Sequence, residues 1–351
     1  MLLPILILMA HPTAAPDAMT GREPQLAAAH GLVALVFGRG HDVMFSRSED
    51  NGVTFSKHEA IASLPILPLS RHRGPRVAFS GNTILVSAVG GRTPVAGEHS
   101  HGLSADGNLY LWRSIDRGKT WSKGRIVNDA PSSAREGLQA LAADESGHAA
   151  AVWLDLRSNG TRLYGAFSKD AGATWSKNAL VYESPDGTIC QCCHPSLLAL
   201  GHGEFAVMFR NVANGDRDMY LLRIRNGAVV SSPSKLGTGT WQITACPMDG
   251  GGIARAGNRI VTAWRRGEDI FLASPNETER KIGSGKDVAV AAHGDQVIAV
   301  WTERGALESW SSGKIQPLAV AGGFPAIASL PDGSALAAWE EGGSIAIRHL
   351  K

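Results

Sequence analysis

Three ten-residue segments share one pattern: SEDNGVTFSK from Ser48, SIDRGKTWSK from Ser114 and SKDAGATWSK from Ser168. Each reads Ser-x-Asp-x-Gly-x-Thr-aromatic. The shared positions are Ser48, Asp50, Gly52, Thr54 and Phe55; Ser114, Asp116, Gly118, Thr120 and Trp121; and Ser168, Asp170, Gly172, Thr174 and Trp175. The Asp can accept backbone N–H bonds, the Gly can take a left-handed conformation, and the aromatic can anchor the next strand in the core. A recurring turn of this kind makes the chain a repeat protein.

A second repeat covers nearly the whole sequence. Seven apolar runs, among them LVALVFGRG, AAAVWLDLR, RIVTAWRRG and SALAAWEEG, each come after a shorter apolar segment and a Gly, Asn or Asp turn. Short strands at this rhythm predict an all-β propeller of four-stranded antiparallel blades. The count favours seven blades, with six as the alternative. The last unit, from Phe324, has room for three strands, and the segment from Met19 to Glu23 is expected to supply its fourth. No stretch keeps a helical period for three turns. The Trp residues closing second strands (Trp153, Trp264, Trp301, Trp339) read as core.

The Ser-x-Asp-x-Gly-x-Thr-aromatic segments resemble the Asp boxes, or BNR repeats, of sialidase-like β-propellers. The resemblance implies turns between a blade's third and fourth strands, with no catalytic role. A narrower likeness, to exported bacterial sialidase-like proteins, runs through AREGLQAL, WLDLR, SPDGTICQCCHPS, RNVANGDRDMYL and ACPMDGG. It implies a fold and a pattern, not a reaction.

Composition limits the partners. A net charge of +2 over 351 residues argues against nucleic acid, and 44% hydrophobic residues suffice for a large core. The run Leu2–Met9 is shorter than the roughly 20 residues of a membrane span, and Thr13, Ala14 and Ala15 come after it. Residues 1–18 are therefore expected to be an export signal, with one domain over 19–351 and a monomer in the periplasm or outside the cell.

In a propeller, the 2–3 and 4–1 turns share the face around the channel mouth. Here they are rich in arginine, which grips carboxylates with a planar fork. An acidic glycan or another small anion is the expected partner. Arg73, Arg135, Arg210, Arg265 and Asp155 are the candidate binding residues. The sialidase resemblance implies an arginine triad, matched at Arg73 in HRGP with Arg210 and Arg265 to complete it. It also implies an acid, for which Glu98 or Asp106 could stand, and a Glu, matched by Glu136, beside a Tyr nucleophile. None of Tyr110, Tyr164, Tyr182 and Tyr220 is expected to open an inner strand. Sialidase-type hydrolysis, binding without catalysis, and metal handling thus remain three readings.

The third reading rests on TICQCCHP, which holds Cys190, Cys192, Cys193 and His194, with Cys246 in a later turn. Adjacent Cys192 and Cys193 are poorly spaced for a mutual bridge, so Cys246 is expected to pair with one of the three. An even cysteine count in an exported chain favours disulfides. Alternatively, Cys190, Cys192, Cys193, His194 and Cys246 could hold Cu or Zn.

Overall fold

The computed structural model describes residues 19–97 and 102–351. The expected leader and Glu98 lie outside the described residues. Seven antiparallel sheets succeed one another along the chain, and no helix occurs among the described residues. The fold is a seven-bladed β-propeller, which settles the blade count at seven. In each blade the chain runs outward, so the first strand is innermost. The inner strands are Arg22–Ala29, Arg76–Ser80, Gln139–Ala143, Ser196–Gly201, Gly252–Ala256, Lys286–His293 and Gly323–Ser329. Each touches the inner strand of the next blade, and the last touches the first.

The second strands read as unbroken apolar runs because both of their faces are covered. Leu32–Arg39 and Ala149–Asp155 are buried along nearly their whole length. Seven apolar clusters fill the seven seams between neighbouring blades. Trp153, Trp264, Trp301 and Trp339 lie in these clusters, as the sequence predicts. The seam that closes the ring packs Leu35 and Phe37 of blade 1 with Leu336 and Ala338 of blade 7.

Hydrogen bonds reinforce that closure. Blade 7 has three strands of its own. Thr20 bridges Ser344, Gly21 N–H donates to Gly343 O at 3.1 Å, and Ile345 N–H donates to Met19 O at 2.8 Å. Residues 19–21 thus extend the last sheet before the chain enters blade 1, as expected. In blade 4 the outer strand is split into Ala228–Val229 and Ser234–Lys235, both paired to Met219–Arg225.

The three Asp boxes join the third and fourth strands of blades 1, 2 and 3. In the first, Asp50 accepts from Thr54 N–H at 2.9 Å and from the Ser48 hydroxyl at 2.6 Å, and Ser48 accepts from Gly52 N–H at 2.7 Å. The other two repeat this net. Each box also locks its blade to the preceding one. A Cβ at Gly118, whose φ is +80°, would lie 2.4 Å from Phe45 of blade 1. Trp121 meets the same Phe45 ring edge-on at 5.0 Å.

Gly118→Ala adds backbone strain and an overpacked seam, so thermal unfolding should show a loss of about 1–3 kcal/mol. A change within ~0.5 kcal/mol would contradict the role given to this turn. The Ser and Thr hydroxyls and amides of the boxes lower Asp50 and Asp170 from 3.8 to about 2. A depressed carboxylate stabilises the fold above its unfolded value and ceases to do so as pH falls through the folded one. Acid titration should therefore erode stability between about pH 4 and 2, with a smaller drop in Asp50→Asn.

Candidate functional site

Every inner strand is reached by a turn from the outer strand of the previous blade, and these seven lead-in turns converge on the channel mouth. Three inner strands open with a register shift: between Arg22 and Gln25, between Lys286 and Ala289, and between Gly323 and Ala326. The displaced residues Glu23, Asp287 and Phe324 have φ of +55°, +59° and +51°. A bulge of this kind turns a side chain out of the ladder, and here three neighbouring blades do so at one place. Such backbone is costly for non-glycine residues and clusters where a site over-determines it.

The lead-in turn of blade 2 goes furthest. Its residues Arg71 and His72 both have positive φ. Arg71 donates to the sulfur of Met248, in blade 5's lead-in turn. Arg73 Nε donates to Glu136 O at 2.6 Å, in blade 3's. Between them, His72 meets the other four blades. Its N–H donates to Glu23 at 3.1 Å, its Nε2 lies 2.9 Å from Asp287 Oδ1, and its ring packs on those of His194 and Phe324 at 4.3 and 5.4 Å. Three consecutive residues therefore touch all six other blades, and the turn lies across the channel. Gly74 permits this, because a Cβ there would sit 2.5 Å from the Glu23 side chain.

Charge is concentrated under this turn. Burial raises Glu23 to about 7, against the opposing pull of His72 and Arg76. Burial draws His72 toward neutrality, but the Asp287 hydrogen bond and charge outweigh it, and the imidazole ends above its ordinary value. Burial also raises Asp287, yet His72 leaves it below the usual carboxylate range. Asp249 is raised by burial and by the charge of Asp287, whose N–H donates to it at 3.0 Å. His194 is pushed well below the ordinary histidine range by burial and by His72.

A cleft of about 360 Å³ opens beside this cluster, between blades 6 and 7. Its wall carries Lys286, Asp287, Thr302, Phe324 and Glu340, and glycines from both blades expose backbone. All belong to lead-in turns, inner-strand starts, second-strand ends or 2–3 turns, so the cleft shares the His72 face. Lys286 is half-exposed at its rim, 3.8 Å from Asp287 Oδ2.

The residues named from sequence divide accordingly. Arg73 and Glu136 pair, with Arg73 Nη2 3.6 Å from Glu136 Oε2. Burial raises Glu136, opposed by Arg73 and Arg135. Arg135 donates to Ser132 O. All three precede the inner strands rather than lying in them. Arg210, 2% exposed, donates to the carbonyls of Arg217, Asp249 and Arg265. Arg265 donates to Gly267 O, and both guanidiniums lie against the Trp241 ring. Asp155 is buried and accepts from Trp153 and Arg157. Asp106 is held far below the carboxylate range by the Ser104 hydroxyl and the Thr93 and Arg92 amides. That suits a turn-forming acceptor rather than a proton donor. Arg73 and His194 thus join the central cluster. Asp106 and Asp155 instead shape turns. Glu23, Asp287, Phe324 and Glu340 were missed. Their one sequence signal is position, at an inner strand's first residues or a second strand's end.

The cysteines form a separate cluster. Cys192 and Cys246 are bridged, with Cα atoms 6.2 Å apart, as one of the expected pairings. Cys190 and Cys193 are free and buried, their sulfurs 3.0 Å apart. The Cys193 hydrogen bond pulls Cys190 down to about 6 against burial, with Arg210 and Arg217 assisting, while burial pushes Cys193 up. While the bridge stands, Cys192 and Cys246 cannot serve as metal ligands. Unfolded, unreduced protein should titrate two thiols and reduced protein four; no thiols before reduction would contradict this pairing. Cys246→Ser should lower stability by about 2–4 kcal/mol in a chemical melt.

No family model matches the chain, and no curated protein matches it. Solved structures do. A PL25 ulvan lyase superposes with a TM-score of 0.60 at 10% identity, over 97% of this chain and 96% of that one. The Hadza microbial sialidase Hz136 superposes at 0.52 and 15% identity, over 95% of this chain, which spans 66% of that sialidase. The GH93 α-L-arabinofuranosidase of Fusarium graminearum superposes at 0.52 and 13% identity, over 97% and 95%. What these likenesses share with this chain is the fold alone, a β-propeller.

Proposed function

We propose that this protein is an exported, glycan-acting propeller that takes an acidic sugar in the cleft between blades 6 and 7. The observation that carries this reading is the convergence of ionisable groups from the lead-in turns beside an open cleft on the same face. Perturbed, buried titratable groups beside a concave site mark functional centres. Exposed glycine backbone and the Phe324 ring suit a polar, flat-faced sugar, and Lys286 and Arg265 supply positive charge around Asp287. His72 and Asp287, 2.9 Å apart, are the groups placed to move a proton, with Asp287 in the cleft wall. The fold neighbours, by name, include an ulvan lyase, a sialidase and an arabinofuranosidase, which supports a carbohydrate ligand. The Cys192–Cys246 bridge supports an oxidising location outside the cytosol.

A sialidase-type exo-glycosidase is the narrower form of this reading, and the geometry serves it less well. Tyr110, Tyr164 and Tyr220 lie on third strands and Tyr182 on a fourth, so no tyrosine faces the channel from an inner strand. Arg210 already donates to three carbonyls. These observations favour binding without turnover as the second reading.

Uronate- and sialate-bearing oligosaccharides should bind in calorimetry, more weakly as salt rises, and Lys286→Ala should cost about threefold to tenfold in affinity. Reducing-end release, lost about 10²-fold or more in His72→Ala, would establish catalysis. Binding without release would establish the second reading. No binding by any acidic or neutral glycan would sink both.

A further inference from the structure

We infer that a divalent transition-metal ion binds beneath the blade-2 turn, held by His72, Asp249 and Asp287. His72 and Asp249 come from the lead-in turns of blades 2 and 5 and Asp287 from the bulge that opens blade 6's inner strand, so only the closed ring brings them together. One candidate ligand atom from each lies within 4.8 Å of the other two. That spacing suits three donors around one ion.

The second observation concerns what these side chains lack. Asp249 and Asp287 are 1% and 5% exposed, yet Asp249 Oδ1 and Asp287 Oδ2 have no hydrogen-bond partner. Buried carboxylate oxygens are seldom left unpaired, because desolvating them is costly. The surrounding cations do not fill the gap. Arg210 is turned to the Asp249 backbone carbonyl rather than to its carboxylate. Lys286 reaches only to 3.8 Å of Asp287 Oδ2, and Arg71 is turned to the Met248 sulfur. An ion between the two carboxylates would satisfy both oxygens and offset their repulsion.

The donor set selects the ion. One imidazole with two carboxylates suits Zn²⁺, Mn²⁺ or Co²⁺, whereas Ca²⁺ and Mg²⁺ prefer oxygen alone. His194, stacked on His72, has its Nε2 against Gly251 O and a buried Nδ1 without a partner. A backbone bond of this kind leaves the other imidazole nitrogen with a free lone pair, as in many metal-ligating histidines. It leaves His194 a further nitrogen donor stacked beside His72. The ion would border the cleft through Asp287 and, when bound, would take the place of the proton that His72 and Asp287 share, whichever sugar the cleft accepts.

The test uses the full chain, stripped with a chelator and loaded with Co²⁺ or Zn²⁺ alone, without glycan. Equilibrium dialysis should give about one ion per chain. The Co²⁺ form should show d–d absorption without a thiolate-to-cobalt charge-transfer band. Asp249→Asn and Asp287→Asn, checked for folding by circular dichroism, should each weaken binding at least about tenfold. Cys190→Ser/Cys193→Ser should leave it unchanged. Failure of wild-type protein to bind, a thiolate charge-transfer band, or loss of the ion in the cysteine double variant would each overturn the site. The first two need no variant, so a substitution that fails to fold leaves the proposal open to refutation.

Discussion

The structure depends on closing a ring of seven wedges. Each blade is stable only because a neighbour covers each of its apolar faces, and the last seam must join residues from the two ends of the described chain. Leu35 and Phe37 pack with Leu336 and Ala338 there, and residues 19–21 add hydrogen bonds to the same joint. Burying a large aliphatic or aromatic side chain contributes about 1.5–3 kcal/mol. Seven filled seams therefore give the ring ample driving force, and the Asp boxes of blades 1 to 3 pin one blade to the preceding one.

That division of labour frees the channel mouth. The seams hold the blades, so the lead-in turns need not be apolar, and they are not. They carry His72, Arg73, Glu136, His194 and Asp249, and the opening of blade 6's inner strand carries Asp287, into a largely buried centre. Bulges at Glu23, Asp287 and Phe324 and the left-handed backbone at Arg71 and His72 place these side chains. Each such residue costs of order 1–3 kcal/mol, which the packing of the ring offsets. The result is a rigid polar core beside an open cleft. This is the arrangement a binding or reactive centre needs, because its groups are positioned before any ligand arrives.

Much of the fold was legible in the sequence because its signals are local. An Asp box announces itself in eight residues, and an apolar run ending in Trp identifies a doubly covered second strand. Strand order then defined the two faces, and with them the location of Arg73 and His194. The partners of those residues were not legible. His72 and Asp287 are 215 positions apart and meet only across the channel. Nothing near Asp287 in the sequence marks it. Arginine misled in a related way. Arg210 reads as a ligand for an anion, but its fork meets backbone carbonyls of its own and the next blade, a choice fixed by tertiary geometry. The cysteines were half legible: spacing named Cys246 as a partner, and only the fold chose Cys192.

If ligands meet this protein at the channel mouth, they do so over the cluster built by the lead-in turns. A crystal structure with a bound uronate-bearing disaccharide tests this most directly. The sugar should lie between blades 6 and 7, its ring over Phe324 and its polar groups toward Asp287, Lys286 and Glu340. A sugar held on the Asp-box face, such as the hollow of about 280 Å³ beside Arg259, Asp295 and Trp310, would contradict it.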